Sequence, residues 1–154
     1  MKTAVLTGAS SGIGKAISVR LLGLGFEVIG ISRSIQAEDF DDVNFTALQA
    51  DLSNEASCLE LCENLKRTSV HILINCAGFG RFEPHEELNQ HTIIEMTFLN
   101  LTAPMLLTNT LLRSLKSNDG YLININSIEA IKILSKKVIA HSIKVVIASV
   151  LFLF

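Results

Sequence analysis

Thr7-Gly8-Ala9-Ser10-Ser11-Gly12-Ile13-Gly14 follows a short apolar run, Ala4 to Leu6, and opens a segment with helical periodicity. A strand, a glycine-rich turn and a helix start, in that order, have the place and shape of a dinucleotide-phosphate loop. The glycines let the strand turn sharply and let the backbone approach a pyrophosphate, whose charge is met by exposed amides and the positive end of the helix. Gly8-x-x-x-Gly12-x-Gly14 differs from the commoner G-x-G-x-x-G spacing, so taken alone it also suits a purely structural turn. The spacing refuses a phosphate-loop NTPase: five residues rather than four separate Gly8 from Gly14. Ala16 also occupies the place of the Ser/Thr that would ligate magnesium after Lys15.

Outward from this loop, runs rich in β-branched residues recur at Ala4 to Leu6, Val28 to Ile31, Phe45 to Leu48, Val70 to Ile74 and Tyr121 to Ile125. Helix-like segments lie between them: Ile13 to Leu24, Glu55 to Arg67 and about His91 to Leu115. Alternation of this kind predicts a parallel sheet with crossover helices on both faces, a doubly wound Rossmann-type α/β fold in three layers. Ser53 or Asn54 can cap the second helix, with Glu55 in its first turn where the dipole favours an anion. Pro104 removes a backbone donor inside the last helix and should bend or divide it.

The second strand ends in Ser32-Arg33-Ser34, where an acidic residue would otherwise accept hydrogen bonds from a ribose 2′-hydroxyl. The planar donor fork of Arg33 matches a 2′-phosphate, so the sequence leans toward NADP(H), with NAD(H) as the alternative. A solvated surface arginine is the bland reading.

Composition narrows the class. A chain of 154 residues, 49% hydrophobic, suits one compact core. Its 13 basic and 15 acidic side chains leave a net charge of −2 with no basic stripe, which argues against nucleic acid as a partner. Cys58, Cys62 and Cys76 have no zinc-like spacing, and Cys58 and Cys62 stack on one helix face, as expected of a reducing cytoplasmic protein without a bound metal. No stretch reaches about 18 uninterrupted apolar residues, and neither an export signal nor a membrane span is expected. From Val138 to Phe154 only Lys144 carries a permanent charge, and helix-stop signals are lacking. The expected organisation is a dinucleotide-binding domain over residues 1–137, followed by an aberrant apolar tail over 138–154 that reads equally as a buried helix or a non-native end.

Taken together, Thr7 to Gly14, Asp51-Leu52, Asn75-Cys76-Ala77-Gly78, Asn100 and Gly120 to Ser127 resemble the short-chain dehydrogenase/reductase family over about residues 1 to 135. The resemblance implies that Gly8, Ser10, Ser11, Gly12, Ile13 and Gly14 line the pyrophosphate and that Asp51 and Leu52 lie beside the adenine ring. Asn75, Ala77 and Gly78 match the family's Asn-Asn-Ala-Gly element, with Cys76 in place of the second asparagine. Cysteine donates weakly, so a loosened sheet or ribose contact is expected there. Asn100 is similar to the helix asparagine that holds a water in a proton relay, and Ser127 to the serine that steadies a substrate carbonyl. In the family a tyrosine exchanges the proton as hydride moves, and a lysine four residues later lowers its pKa.

That register gives Ala140 and Lys144. The lysine is present without its partner. Tyr121, the only tyrosine, begins the fifth strand, and His141 stands in a neighbouring register that aims it elsewhere. Read one nucleotide forward, degenerate codons for His141 to Val145 can encode Ile-Ala-Ser-Lys, and the family often carries Tyr-x-Ala-Ser-Lys there. A frameshift near codon 140 is therefore the expectation, and with it a fold lacking its last strands and helices. The fifth strand would become an open edge with Leu122, Ile123 and Ile125 near it, which invites association. Pairing of subunits through the helix carrying Asn100, with Leu106, Leu107, Leu111 and Leu112, is the family's usual route to a homo-oligomer.

The expected activity of the full-length parent is hydride transfer between a nicotinamide cofactor and a small carbonyl or alcohol. For this chain the reading is an inactive fragment of such an oxidoreductase. The rival readings are a non-catalytic NADP(H)-binding or interaction module and a non-functional gene product.

Overall fold

The computed structural model describes residues 1–81 and 84–126. Ser127, Ala140, His141, Lys144 and the proposed boundary at residue 137 lie outside the described residues.

Five parallel strands form one sheet in the order β3-β2-β1-β4-β5. They are β1 (Thr3–Thr7), β2 (Glu27–Ser32), β3 (Phe45–Gln49), β4 (Ile72–Asn75) and β5 (Tyr121–Asn124). In register, Val5 stands beside Ile29 on one side and Leu73 on the other, while Asn75 stands beside Asn124. This is the doubly wound sheet that the alternating pattern predicts.

The middles of the inner strands β1, β2 and β4 are apolar because helices cover both faces. On one face Val5, Ile31 and Leu73 pack under α2 (Glu55–Leu65) and α4 (Ala103–Ser117). Ala103, Leu107, Leu111 and Leu115 recur every fourth residue, and all are buried in that layer. On the other face Ala4, Leu6, Val28 and Ile74 form a second core with Leu21 of α1 (Gly12–Leu22) and the stacked rings of Phe40 and Phe45. Cys58 and Cys62 are buried free thiols of α2, and burial pushes the Cys58 thiol up to about 12, with its neighbour Cys62 adding to the shift.

The boundaries have local causes. Asn54, not Ser53, caps α2: its Oδ1 accepts from the Ser57 amide at 3.0 Å. The amide of Val70 donates to Ser114 Oγ at 2.7 Å, so the ladder of β4 begins at Ile72 rather than at Val70. The long helix is divided, as Pro104 requires, but upstream of it. Between α3 (Gln90–Thr97) and α4 runs a π-helical turn, Phe98–Thr102, in which the Ala103 amide reaches back five residues to the Phe98 carbonyl. Proline cannot donate and would clash with the carbonyl four residues earlier, that of Asn100; widening the turn moves that carbonyl aside.

Candidate functional site

Three glycines shape the turn between β1 and α1. Gly8 and Gly12 hold φ of +73° and +52°, which side chains disfavour, and a Cβ on Gly14 would collide with the Gly8 carbonyl oxygen. A Cβ on Gly8 would also come within 3.0 Å of the Ala77 backbone, so the phosphate loop and the loop after β4 are packed backbone to backbone. Ser11 is the N-cap residue of α1, yet its hydroxyl makes no capping bond. The first-turn amides of α1 are thus left available to an anion.

Beside this turn runs a groove of about 460 Å³ whose walls include Gly8, Ser10, Ser11, Ser32, Arg33, Asp51, Leu52, Ala77 and Gly78. Gly12, Ile13 and Gly14 stand in the helix turn rather than in that wall. Arg33 is exposed at the end of β2, and its charge reaches the Asp51 carboxylate. Burial acts to raise the Asp51 pKa, but hydrogen bonds from the Ser53 hydroxyl and amide, at 2.7 and 2.9 Å, together with Arg33, outweigh it and hold the group below its ordinary value. Ser32 Oγ is buried in the same wall without a hydrogen-bond partner among the described residues. An adenosine half carrying hydroxyls or a phosphate fits such a wall: a glycine cradle, free amides, the guanidinium groups of Arg33 and Arg81, and the Ser32 hydroxyl.

At the other end, a cavity of about 250 Å³ is lined by Asn75, Cys76, Gly78, Asn100, Asn124 and Asn126, among others. Ala77, Gly78 and Phe79 belong to the walls of both, which makes the two spaces neighbours. Asn100 is 5% exposed in the π-helical turn, and its amide is spent on one residue: Oδ1 accepts from the Phe79 amide at 3.2 Å while Nδ2 donates to the Phe79 carbonyl at 2.7 Å. Asn75 Nδ2 donates to Asn124 Oδ1 at 2.8 Å. The amides of Cys76 and Ala77 both donate to Thr7 Oγ1 at 3.0 Å.

A family model described as short chain dehydrogenase matches residues 2–142. The chain belongs to that family. Among curated short chain dehydrogenases, the chicken (Gallus gallus) dehydrogenase/reductase SDR family member 11 is 30% identical over 90% of this chain and 60% of its own length. An alcohol dehydrogenase from the archaeon Thermococcus sibiricus, solved with 5-hydroxy-NADP, superposes with a TM-score of 0.87 at 29% identity, covering 97% of this chain and 68% of that one. A short chain dehydrogenase from Leptospira borgpetersenii with bound NAD+ gives 0.86 at 26% identity, over 97% and 62%. This chain therefore spans about 60% of the curated relative, and its sheet is the nucleotide-binding Rossmann sheet of the family.

The structure gathers Gly8, Ser10, Ser11, Arg33, Asp51 and Leu52 at the groove, Asn75 and Asn100 at the cavity, and Ala77 and Gly78 at both. Ser127 and Lys144 fall outside the described residues. Four contributors escape a sequence reading: Thr7 as double acceptor, Ser32, Phe79 and Asn124. For Thr7 a signal existed, since a hydroxyl directly before a glycine turn at the end of a buried strand needs a partner. Nothing in sequence announces the Asn75 to Asn124 bridge, which depends on strand register.

Proposed function

We propose that this chain binds a nicotinamide dinucleotide, with NADP(H) preferred over NAD(H), across the groove and the cavity. The observation that carries the reading is the uncapped first turn of α1, set by three glycines of which Gly8 and Gly14 have no room for a side chain, with Arg33 on the adjoining wall. Gly8, Ser10, Ser11, Gly12, Ile13 and Gly14 take the pyrophosphate; Arg33 takes the 2′-phosphate; Asp51 and Leu52 flank the adenine. Asn75, Ala77 and Gly78 form the floor toward the nicotinamide end.

The reaction class is hydride transfer between carbonyl and alcohol, and the nicotinamide ring supplies or accepts the hydride when bound. Ser127 would steady the substrate oxygen, Asn100 fixes the wall at Phe79, and Lys144 would tune the acid. In this chain position 140 is alanine, so no tyrosine stands four residues before Lys144 to move the proton. Loss of a positioned acid or base removes about 10²- to 10⁴-fold in rate. The chain therefore binds nucleotide with negligible turnover, as a nucleotide-binding module of a reductase fold.

Calorimetry tests this. NADPH should bind saturably to the folded chain, and Gly14→Asp should abolish binding. Gly12→Asp, which meets no neighbouring atom and adds only the strain of a side chain at a φ of +52°, should weaken binding while the circular dichroism spectrum is retained. Absence of heat from well-folded protein with either nucleotide would refute the reading.

A further inference from the structure

Arg33 lies one residue beyond the end of β2, where the sheet no longer holds the chain. Up to that point the backbone is fixed: the Ile31 carbonyl accepts from the Gly8 amide at 2.8 Å, and the Ser32 carbonyl accepts from the Ala50 amide at 3.1 Å. Ser32 stands in register with Gln49, the last residue of β3, and the pairing of the two strands ends there. The next bond is made by a side chain. Gln49 Nε2 reaches across and donates to the Ile35 carbonyl at 3.0 Å. Arg33 and Ser34 are thus bracketed, by the Ala50 amide before them and the Gln49 side-chain amide after.

The far end of this segment is anchored without Gln49. Ile35 is fully buried, Phe40 stacks on Phe45 with ring centroids 3.8 Å apart, and the Lys15 ammonium lies 5.6 Å over the Phe40 ring. Losing the Gln49 bond therefore loosens the turn that carries Arg33 without unseating the segment. Gln49 is itself exposed and stands outside the groove wall, to which Ser32, Arg33 and Ser34 belong. Its effect on a ligand passes through that turn.

We propose that Gln49 is a positioning residue for Arg33 and a determinant of selectivity for the 2′-phosphorylated nucleotide. The pyrophosphate and the 2′-phosphate are covalently spaced, so the glycine turn and the Arg33 guanidinium bind best when held at a matching separation beforehand; ordering a loose turn on binding costs affinity. Only the phosphorylated nucleotide feels that cost. The inference rests on the nucleotide-binding reading above and adds to it a residue that lines no part of the groove.

The test is calorimetry on the full chain and on Gln49→Met, a change that keeps the length of the side chain and removes its donor. The probes are NADP+, NAD+ and 2′-phospho-ADP-ribose, which lacks the nicotinamide. NADP+ and 2′-phospho-ADP-ribose should each bind about threefold more weakly to the variant, the scale of one exposed hydrogen bond, while NAD+ affinity stays unchanged. In an Arg33→Ala background the same substitution should cost nothing further, because the two residues act as one. A uniform loss for all three probes overturns the proposal by making Gln49 a general support of the fold. Wild-type affinities in the variant overturn it by showing that burial of Ile35 alone fixes the turn, and an undiminished loss in the Arg33→Ala background overturns it by separating the two residues. If the wild-type chain binds none of the probes, the nucleotide-binding reading fails and takes this one with it.

Discussion

The groove at the ends of β1 to β3 and the cavity at the ends of β4 and β5 are built from the same kind of sheet yet stand in different conditions. In the groove, the glycine turn, the uncapped first turn of α1, Arg33 and the Asp51 to Ser53 pair all lie within residues 8–53. In the cavity, the walls are in place but the groups that would act on a substrate belong to positions 127, 140 and 144, and position 140 is alanine. On the function proposed above, recognition of a dinucleotide and chemistry on it are separable along this chain, because one rests on backbone geometry near the N-terminus and the other on a few side chains far downstream.

The largest expected effect tests that separation directly. NADPH should bind, yet its oxidation with a panel of small ketones should stay about 10²- to 10⁴-fold below that of a short chain dehydrogenase with its tyrosine in place. Steady oxidation at a rate within tenfold of such an enzyme, abolished by Ser127→Ala, would join the two regions again.

Thr7 is where the two regions touch. Its hydroxyl accepts the amides of Cys76 and Ala77, and it is 1% exposed. Thr7→Val keeps the shape and removes the acceptor, leaving two amides unpaired. The urea midpoint should fall by an amount worth about 2 kcal/mol, and affinity for NADP+ and for 2′-phospho-ADP-ribose should fall together. Weakening confined to NADP+ would show that the phosphate loop does not depend on the β4 loop.

Arg33 sharpens the groove alone. Arg33→Ala should weaken NADPH binding about tenfold, the scale of a charge-assisted hydrogen bond, and leave NADH binding within about twofold. An equal loss for both nucleotides would move Arg33 from the 2′-phosphate to a general electrostatic role.

How much of this was legible follows the same division. Strand positions were read from β-branched runs because a parallel sheet buried on both faces leaves no polar alternation to confuse them; Ala4, Val5 and Leu6 are all fully buried. The glycine turn was legible because glycines reveal backbone geometry directly. Two kinds of feature were hidden. The π-helical turn at Phe98–Thr102 was seen only as a break near Pro104, since proline reports a lost hydrogen bond but not how the preceding turn widens. The pairs Thr7 with Cys76 and Ala77, Asn75 with Asn124, and Asn100 with Phe79 join residues 21 to 70 positions apart, and only the tertiary fold brings them together.

The smallest expected effect concerns Asp51, whose carboxylate anchors the loop after β3 through Ser53. Its folded pKa lies below the ordinary value of 3.8, because the Ser53 donors and Arg33 outweigh the opposing effect of burial. The carboxylate is therefore favoured by folding, and its contribution is complete at any pH where the unfolded chain is also ionised. On acidification through 3.8 the unfolded chain takes up the proton first, so the contribution falls, and it is gone once the pH passes below the folded value. Asp51→Asn removes this titration. The difference in urea midpoint between wild type and variant should stay constant from neutral pH down to about pH 5 and shrink below pH 3.8. A difference that grows on acidification would mean that Asp51 is disfavoured as an anion in the folded chain, and the Ser53 donors and Arg33 would then not outweigh its burial.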